Sequence, residues 1–219
     1  MFKKVLSTTV LGVSVVAAMT ANAAAPGIYV TGQLGYANTH MGSKTNFHDD
    51  TLDLGKVKNL SNNGLAGRVA LGYQFNPNFA VEVGYLQLND KKADGIQNFH
   101  LGLPEQASFN LQQHAIDVVG KGIIPVSQNL NVYGKLGLAY LTSDVYSKSN
   151  DEGVNVNVNL NDHTNIAKHK WAPEAAIGVS YDITPNVSVD ASLTHIQPLG
   201  NNKPGNIDFA AVGLGYNFG

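Results

Sequence analysis

Seven histidines and a thin scatter of carboxylates are the residues of this chain whose chemistry is easiest to suspect. "NFHDD" (Asn46 to Asp50) and "HTNIAKHK" (His163 to Lys170) set imidazole nitrogens beside oxygen donors, a mixture that suits a borderline divalent metal. Neither has the ligand spacing of a zinc site, and the absence of cysteine excludes thiolate ligation, thiol catalysis and disulfide staples. His40, His48, His100 and His163 fall in polar loops, and His114, His169 and His195 near the ends of apolar segments. Solvated histidine is the simpler reading, so no metal and no cofactor is expected. Nucleophilic catalysis needs a serine within hydrogen-bond reach of a histidine that a carboxylate orients. No His-x-Ser pair occurs at the strand histidines: His114 precedes Ala115-Ile116, and His195 precedes Ile196-Gln197. Ser192 and His195 stand three apart in an alternating segment and so face opposite ways. Ser108 and His100 share one loop, where spacing neither joins nor separates them. "GRVALG" and "GKG" lack the spacing of phosphate loops. The chain reads as a protein without catalytic machinery.

A second set of charges is more orderly. Arg68, Glu82, Asp117, Lys121, Lys135, Glu174 and Asp190 each sit on one face of an alternating segment, among Gly, Ala, Ser, Thr and Gln. Three positive and four negative groups nearly cancel. Charges spaced this way are expected to pair inside a narrow interior, since an unpaired buried charge costs several kcal/mol.

The elements that must hold them are strands. "YQFNPNFAVE" (Tyr73 to Glu82) and "YDITPNVSVD" (Tyr181 to Asp190) repeat one pattern, and "GIIPVSQNLNVY" (Gly122 to Tyr133) is a looser copy. Pro fixes φ for a tight reversal and Asn tolerates the backbone bend that completes it, so each copy is two strands joined by a short turn. Period-two alternation around the turns predicts eight strands: about Gly27–Ala37, Gly64–Phe75, Phe79–Leu88, Gln112–Ile124, Leu130–Tyr140, Lys170–Ile183, Val187–Ile196 and Ile207–Phe218. Each approaches the length that a tilted strand needs to cross a hydrocarbon layer. Short connections at Asn76–Asn78, Pro125–Asn129 and Thr184–Asn186 alternate with long ones at Asn38–Asn63, Asn89–Leu111, Leu141–His169 and Gln197–Asn206. Within the third long connection, "VYSKSNDEGVNVNVNL" alternates on both sides of Asn150 to Gly153 and reads as a ribbon continuing two strands outward.

The face opposite the charges is greasy. Aromatics gather at its two ends: Tyr73, Phe75, Phe79, Tyr181, Tyr216 and Phe218 by the short turns, Tyr36, Tyr85, Tyr140 and Trp171 toward the long loops. Two aromatic belts around an aliphatic band are what a bilayer selects. A soluble ligand-carrying barrel would have to enclose both belts and show water a face of Gly and Ala, where soluble surfaces carry roughly 25–35% charge. The expectation is all-β: an eight-stranded antiparallel up-and-down transmembrane β-barrel over residues 24–219, with four long extracellular loops.

"MFKKVLSTTVLGVSVVAAMTANA" supports export. Lys3 and Lys4 precede an apolar stretch too short to span, and Ala21-Asn22-Ala23 is a cleavage site, so residues 1–23 are expected to be a removed signal peptide. No later stretch nears the roughly 18 apolar residues of a spanning helix. Without Lys3 and Lys4 the chain keeps an excess of acid, and no basic face offers itself to nucleic acid.

The signal followed by "GIYVTGQLGYA", the eight strands, the small-residue interior and the final "GLGYNF" together resemble the OmpA-type transmembrane barrel family of Gram-negative outer membranes. The resemblance covers nearly the whole mature chain. It implies that the closing strand is read by the barrel assembly machinery, a role that falls on Phe218 with Tyr216, Leu214 and Val212 as its alternate-position apolar partners. Here Gly219 comes after the phenylalanine, where the family usually ends on it. Nothing else comes after Phe218, so the peptidoglycan-gripping domain of some relatives is not expected. The expected partners are outer-membrane lipids and lipopolysaccharide, the assembly machinery and a host or phage ligand at the loops, with the barrel a monomer. The expected function is a structural membrane component and surface-contact scaffold. The alternatives are a narrow passive pore and a lipid-active enzyme.

Overall fold

A computed structural model of the chain describes residues 26–40, 63–89, 91–93, 107–151, 154–159 and 167–219. The expected signal peptide, His48 with "NFHDD", His100 and His163 lie outside the described residues. The strands are β1 (Gly27–Asn38), β2 (Asn63–Asn76), β3 (Phe79–Leu88), β4 (Lys91–Ala93), β5 (Ala107–Pro125), β6 (Leu130–Asp151), β7 (Val154–Asn159), β8 (His169–Asp182), β9 (Val187–Ile196) and β10 (Ile207–Asn217). All pairings are antiparallel. Eight strands form a ring in the order β5-β3-β2-β1-β10-β9-β8-β6, which β6 closes by pairing with β5. The first and last strands meet from Tyr29↔Asn217 to Asn38↔Asp208.

The short turns use side-chain acceptors to hold the reversal. Asn76 Oδ1 accepts the Asn78 amide at 2.9 Å. Ser127 Oγ accepts the Leu130 amide at 3.2 Å, and Thr184 Oγ1 accepts the Val187 amide at 3.0 Å. Short polar side chains that cap their own turn are why Asn, Ser and Thr recur there.

At the other end the sheet rises further than the alternation within the bilayer requires. β5 begins at Ala107, inside the segment expected to be loop, and pairs with β6 as far as Ala107↔Ser149. β4 flanks β5 through Lys91↔Leu111, and β7 flanks β6 through Asp151↔Val154. The outcome is a four-stranded blade, β4-β5-β6-β7, of which the sequence pattern revealed only the β6–β7 ribbon. Isolated hairpins are marginal in water, and flanking strands satisfy backbone groups that a bare ribbon would leave open.

The outward face is apolar. Leu34, Leu136 and Val212 are 73%, 72% and 67% exposed, so the least covered side chains of the ring are aliphatic and need an apolar surrounding. Aromatic contacts bind each end: Tyr73–Phe75 at 4.9 Å, Phe75–Phe79 at 5.9 Å and Tyr216–Phe218 at 4.9 Å near the short turns, with Tyr140–Trp171 at 5.0 Å near the long ones. Tyr36, Tyr85 and Tyr181 also face outward.

The inward face departs from the small-residue reading. Leu86, Leu88, Leu141, Ile196, Ile207 and Phe209 are buried together at the long-loop end. Tyr29, Ile123 and Tyr133 are buried toward the short turns. They share strand parity with the interior charges, and a ring of eight strands leaves a bore that side chains must fill.

Leu34→Arg, at mid-height on the outward face, is expected to destabilise the folded barrel by roughly 2–4 kcal/mol, measured by urea titration in lipid vesicles. A barrel whose stability does not change would mean that this face does not meet hydrocarbon.

Candidate functional site

The interior charges meet because glycines let side chains cross a strand. Tyr29 on β1, Gly72 on β2 and Glu82 on β3 lie in one cross-strand row. The tyrosine ring passes over Gly72, and its hydroxyl donates to Glu82 Oε1 at 2.9 Å. Arg68 on β2 reaches over Gly84 on β3 to Asp117 on β5 in the same manner. A Cβ at Gly84 would lie 2.5 Å from Arg68 Nη2 and 2.6 Å from Asp117 Oδ2. No other residue type leaves that path clear.

Arg68 grips Asp117 with two parallel bonds, Nη2 to Oδ1 at 2.6 Å and Nε to Oδ2 at 3.0 Å, and donates from Nη1 to Glu82 Oε2 at 3.2 Å. The planar fork matches a carboxylate in a way that an ammonium does not. Glu82, fully buried, also receives Lys135 Nζ at 2.7 Å and lies 3.5 Å from Lys121 Nζ. Lys121 and Lys135 stand directly opposite each other on β5 and β6. Glu82 between them offsets that like-charge contact, and both ammonium groups lie over the Tyr133 ring, at 4.4 and 5.3 Å from its centroid.

Five of the seven interior charges named from sequence thus form one network. The other two do not join a cation among the described residues. Asp190 is held by neutral donors, Gln33 Nε2 at 2.7 Å and the Tyr133 hydroxyl at 2.8 Å. Glu174 is buried, and its Oε2 meets no donor among the described residues. The reason is numerical: three cations converge on Glu82 and Asp117, and none is left for the remaining carboxylates. Sequence reading missed Tyr29, Tyr133 and Gln33, the neutral members. Their signal was strand parity, which sets them inward with Arg68 and Glu82.

From the short-turn side the bore begins as a cavity of ≈ 60 Å³ lined by Tyr29, Gln33, Lys121, Tyr133 and Asp190 among others. The charge network lies above it, and the Leu86, Leu141, Phe209 layer lies beyond that.

Other chemistry is dispersed. Ser192 points inward and accepts from Gln33 at 3.1 Å, while His195 faces out. Among the described residues no group of three or more His, Asp or Glu could hold a metal. Val212, Leu214, Tyr216 and Phe218 all face outward on the strand that seals the ring.

Comparison with known proteins agrees with this architecture. A family model described as the OmpA-like transmembrane domain matches residues 23–219. An uncharacterized protein of Coxiella burnetii is 30% identical over 218 residues, covering 90% of this chain and 87% of that one. Among solved structures, Neisserial surface protein A is similar with TM-score 0.53 and 18% identity, over 87% of this chain and 97% of that one. The outer membrane protein OprG of Pseudomonas aeruginosa is similar with TM-score 0.52 and 13% identity, over 90% and 99%. At these identities the structures show the fold.

Neutralising two buried carboxylates should act in opposite directions. Glu82→Gln strips the network of its centre and is expected to cost about 3–5 kcal/mol. Glu174→Gln removes a carboxylate without a counter-ion and is expected to raise stability by about 1–3 kcal/mol. The temperature at which the folded barrel loses its compact gel mobility reads both. Shifts of the same sign would refute this division of the interior charges.

Proposed function

The chain belongs to the OmpA-like transmembrane domain family, which makes it a barrel of the outer membrane, and from that premise we propose that it is a surface-contact scaffold with a sealed interior. The barrel anchors and holds its long-loop side outward, toward the cell's surroundings. There the β4-β5-β6-β7 blade and the neighbouring loops meet a macromolecular partner on a host cell, a phage or another bacterium. What supports this reading above all is the succession of two layers across the bore, the charge network and then the buried apolar layer of Leu86, Leu141 and Phe209. A conducting pore would need both to open. The blade favours contact for a separate reason: a rigid scaffold lets exposed segments carry binding without disturbing the fold.

Planar-bilayer recording and whole-cell binding test the proposal together. The expected result is no stable open channel, and surface attachment that falls when residues 145–159 are replaced by a short glycine-serine turn. A stable, large conductance would favour the pore. Attachment that is indifferent to the blade would overturn the contact role.

Assembly uses the closing strand. Phe218, backed by Tyr216, Leu214 and Val212, is the contact offered to the assembly machinery, as a strand with a free apolar face suits. Phe218→Ser is expected to lower severalfold the fraction of chain recovered folded in outer-membrane preparations. Full recovery would confine Phe218 to packing against lipid.

A further inference from the structure

Immediately beyond the aromatic belt on the long-loop side, the outward face turns polar in a particular way. Across β3, β5, β6 and β8 one row reads Gln87, His114, Thr142, His169, each directly paired with the next. Across β1, β10 and β9 a second row reads Asn38, Asp208, His195. His40, just beyond Asn38, folds back on the same carboxylate. These rows sit two residues above Tyr85, Tyr140, Trp171 and Tyr36, whose rings mark the depth of the membrane interface. Apart from the buried Thr142, they therefore face the layer of lipid headgroups.

No lysine or arginine stands in these two rows, the usual means of meeting phosphate. The cationic capacity there is imidazole, a side chain that changes charge between about pH 5 and 8. We propose that this collar is a proton-gated contact for the phosphate groups of outer-leaflet lipid. The proposal rests on the orientation with the long loops outward, given under the proposed function.

The neighbours of the rings are polar, aromatic or anionic. His195 Nδ1 lies 2.5 Å from Asp208 Oδ1, and His40 Nδ1 lies 3.6 Å from Asp208 Oδ2 and 3.3 Å from the Asn206 carbonyl oxygen. On the β8 side, His195 faces Ala175. His169 stacks on Tyr140 at 5.4 Å and touches Thr142 Oγ1 at 3.2 Å through Nδ1. His114 lies 5.9 Å from the Tyr85 ring, with Gln87 and Thr142 on either side. The flanking charges are Lys168, tied to Asp144 at 3.2 Å, and the half-buried Lys170. His195, His169 and His40 are exposed, so an added proton stays in contact with solvent and with whatever anion lies alongside.

The geometry sets the sign. With the imidazoles neutral, Asp208 is the one charge within the two rows and repels phosphate. Protonated imidazole is the cationic form of histidine: at His40 and His195 it offsets the Asp208 carboxylate, at His114 and His169 it gives the other row positive charge, and the collar becomes attractive. A lipid phosphate keeps at least one negative charge throughout that range.

The test uses the full folded chain in detergent, with bisphosphorylated lipid A and its dephosphorylated form as probes, at about pH 5.5 and 7.5. Lipid binding is read by native mass spectrometry. The phosphorylated probe is expected to bind severalfold more tightly at the lower pH and the dephosphorylated probe equally at both. The combined variant His40→Gln, His114→Gln, His169→Gln, His195→Gln, with folding verified by gel mobility, is expected to lose the pH response. Equal binding at both pH values, an equal response to the dephosphorylated probe, or a response that survives in the variant would each overturn the proposal. A protease site inserted between β6 and β7, cut or spared on whole cells, reports the orientation separately.

Discussion

In hydrocarbon no peptide group can go unpaired, and every other feature of this protein answers to that constraint. It forces β10 back onto β1, and the closed ring removes the sheet edges that lipid would leave unsatisfied. Closure of eight strands then leaves an interior of side-chain width. Whatever points inward must find its partner within that width, across one strand or two. The glycines at 72 and 84 are consequences of the same geometry, because they are the places where Tyr29 and Arg68 pass over a neighbour to reach a carboxylate.

The interior is layered rather than mixed. Amides, hydroxyls and the Asp190 cluster lie toward the short turns, ions in the middle, and Leu, Ile and Phe toward the long loops. Low dielectric makes the middle layer strong where its charges are matched and costly where they are not. Glu82 gathers three cations and a tyrosine hydroxyl, and Asp117 takes the bidentate face of Arg68. Glu174, a few residues along the wall, receives nothing comparable.

Most of the fold could be read from alternation alone, since a strand between lipid and a packed bore has two faces of opposite character. Tyr85, Trp171 and Leu214 stood out because lipid accepts only one class of side chain. The inward residues were harder to place. Phe209 and Leu141 belong to a residue type that the outer face also uses, and only counting parity from Ala211 or Lys135 sends them inside. The partners of Arg68 were not legible, because they depend on how far each strand slides against the next, and a two-residue slip keeps every side chain on its own face. The blade beyond its β6–β7 ribbon escaped for a related reason. Its pairing is set by neighbouring backbones, and β4, with three residues, carries too short a pattern to announce itself.

The continuity of β5 and β6 has a mechanical meaning. They run without a break from the short turns, through the wall that bears Asp117, Lys121 and Lys135, to the tip of the blade. A pull on that tip is directed along the strands, so it loads their whole ladder in parallel instead of opening one rung at a time. Tension applied to the blade is thereby delivered to the ionic girdle at the barrel's waist, and the blade is as hard to pull free as that girdle is to break.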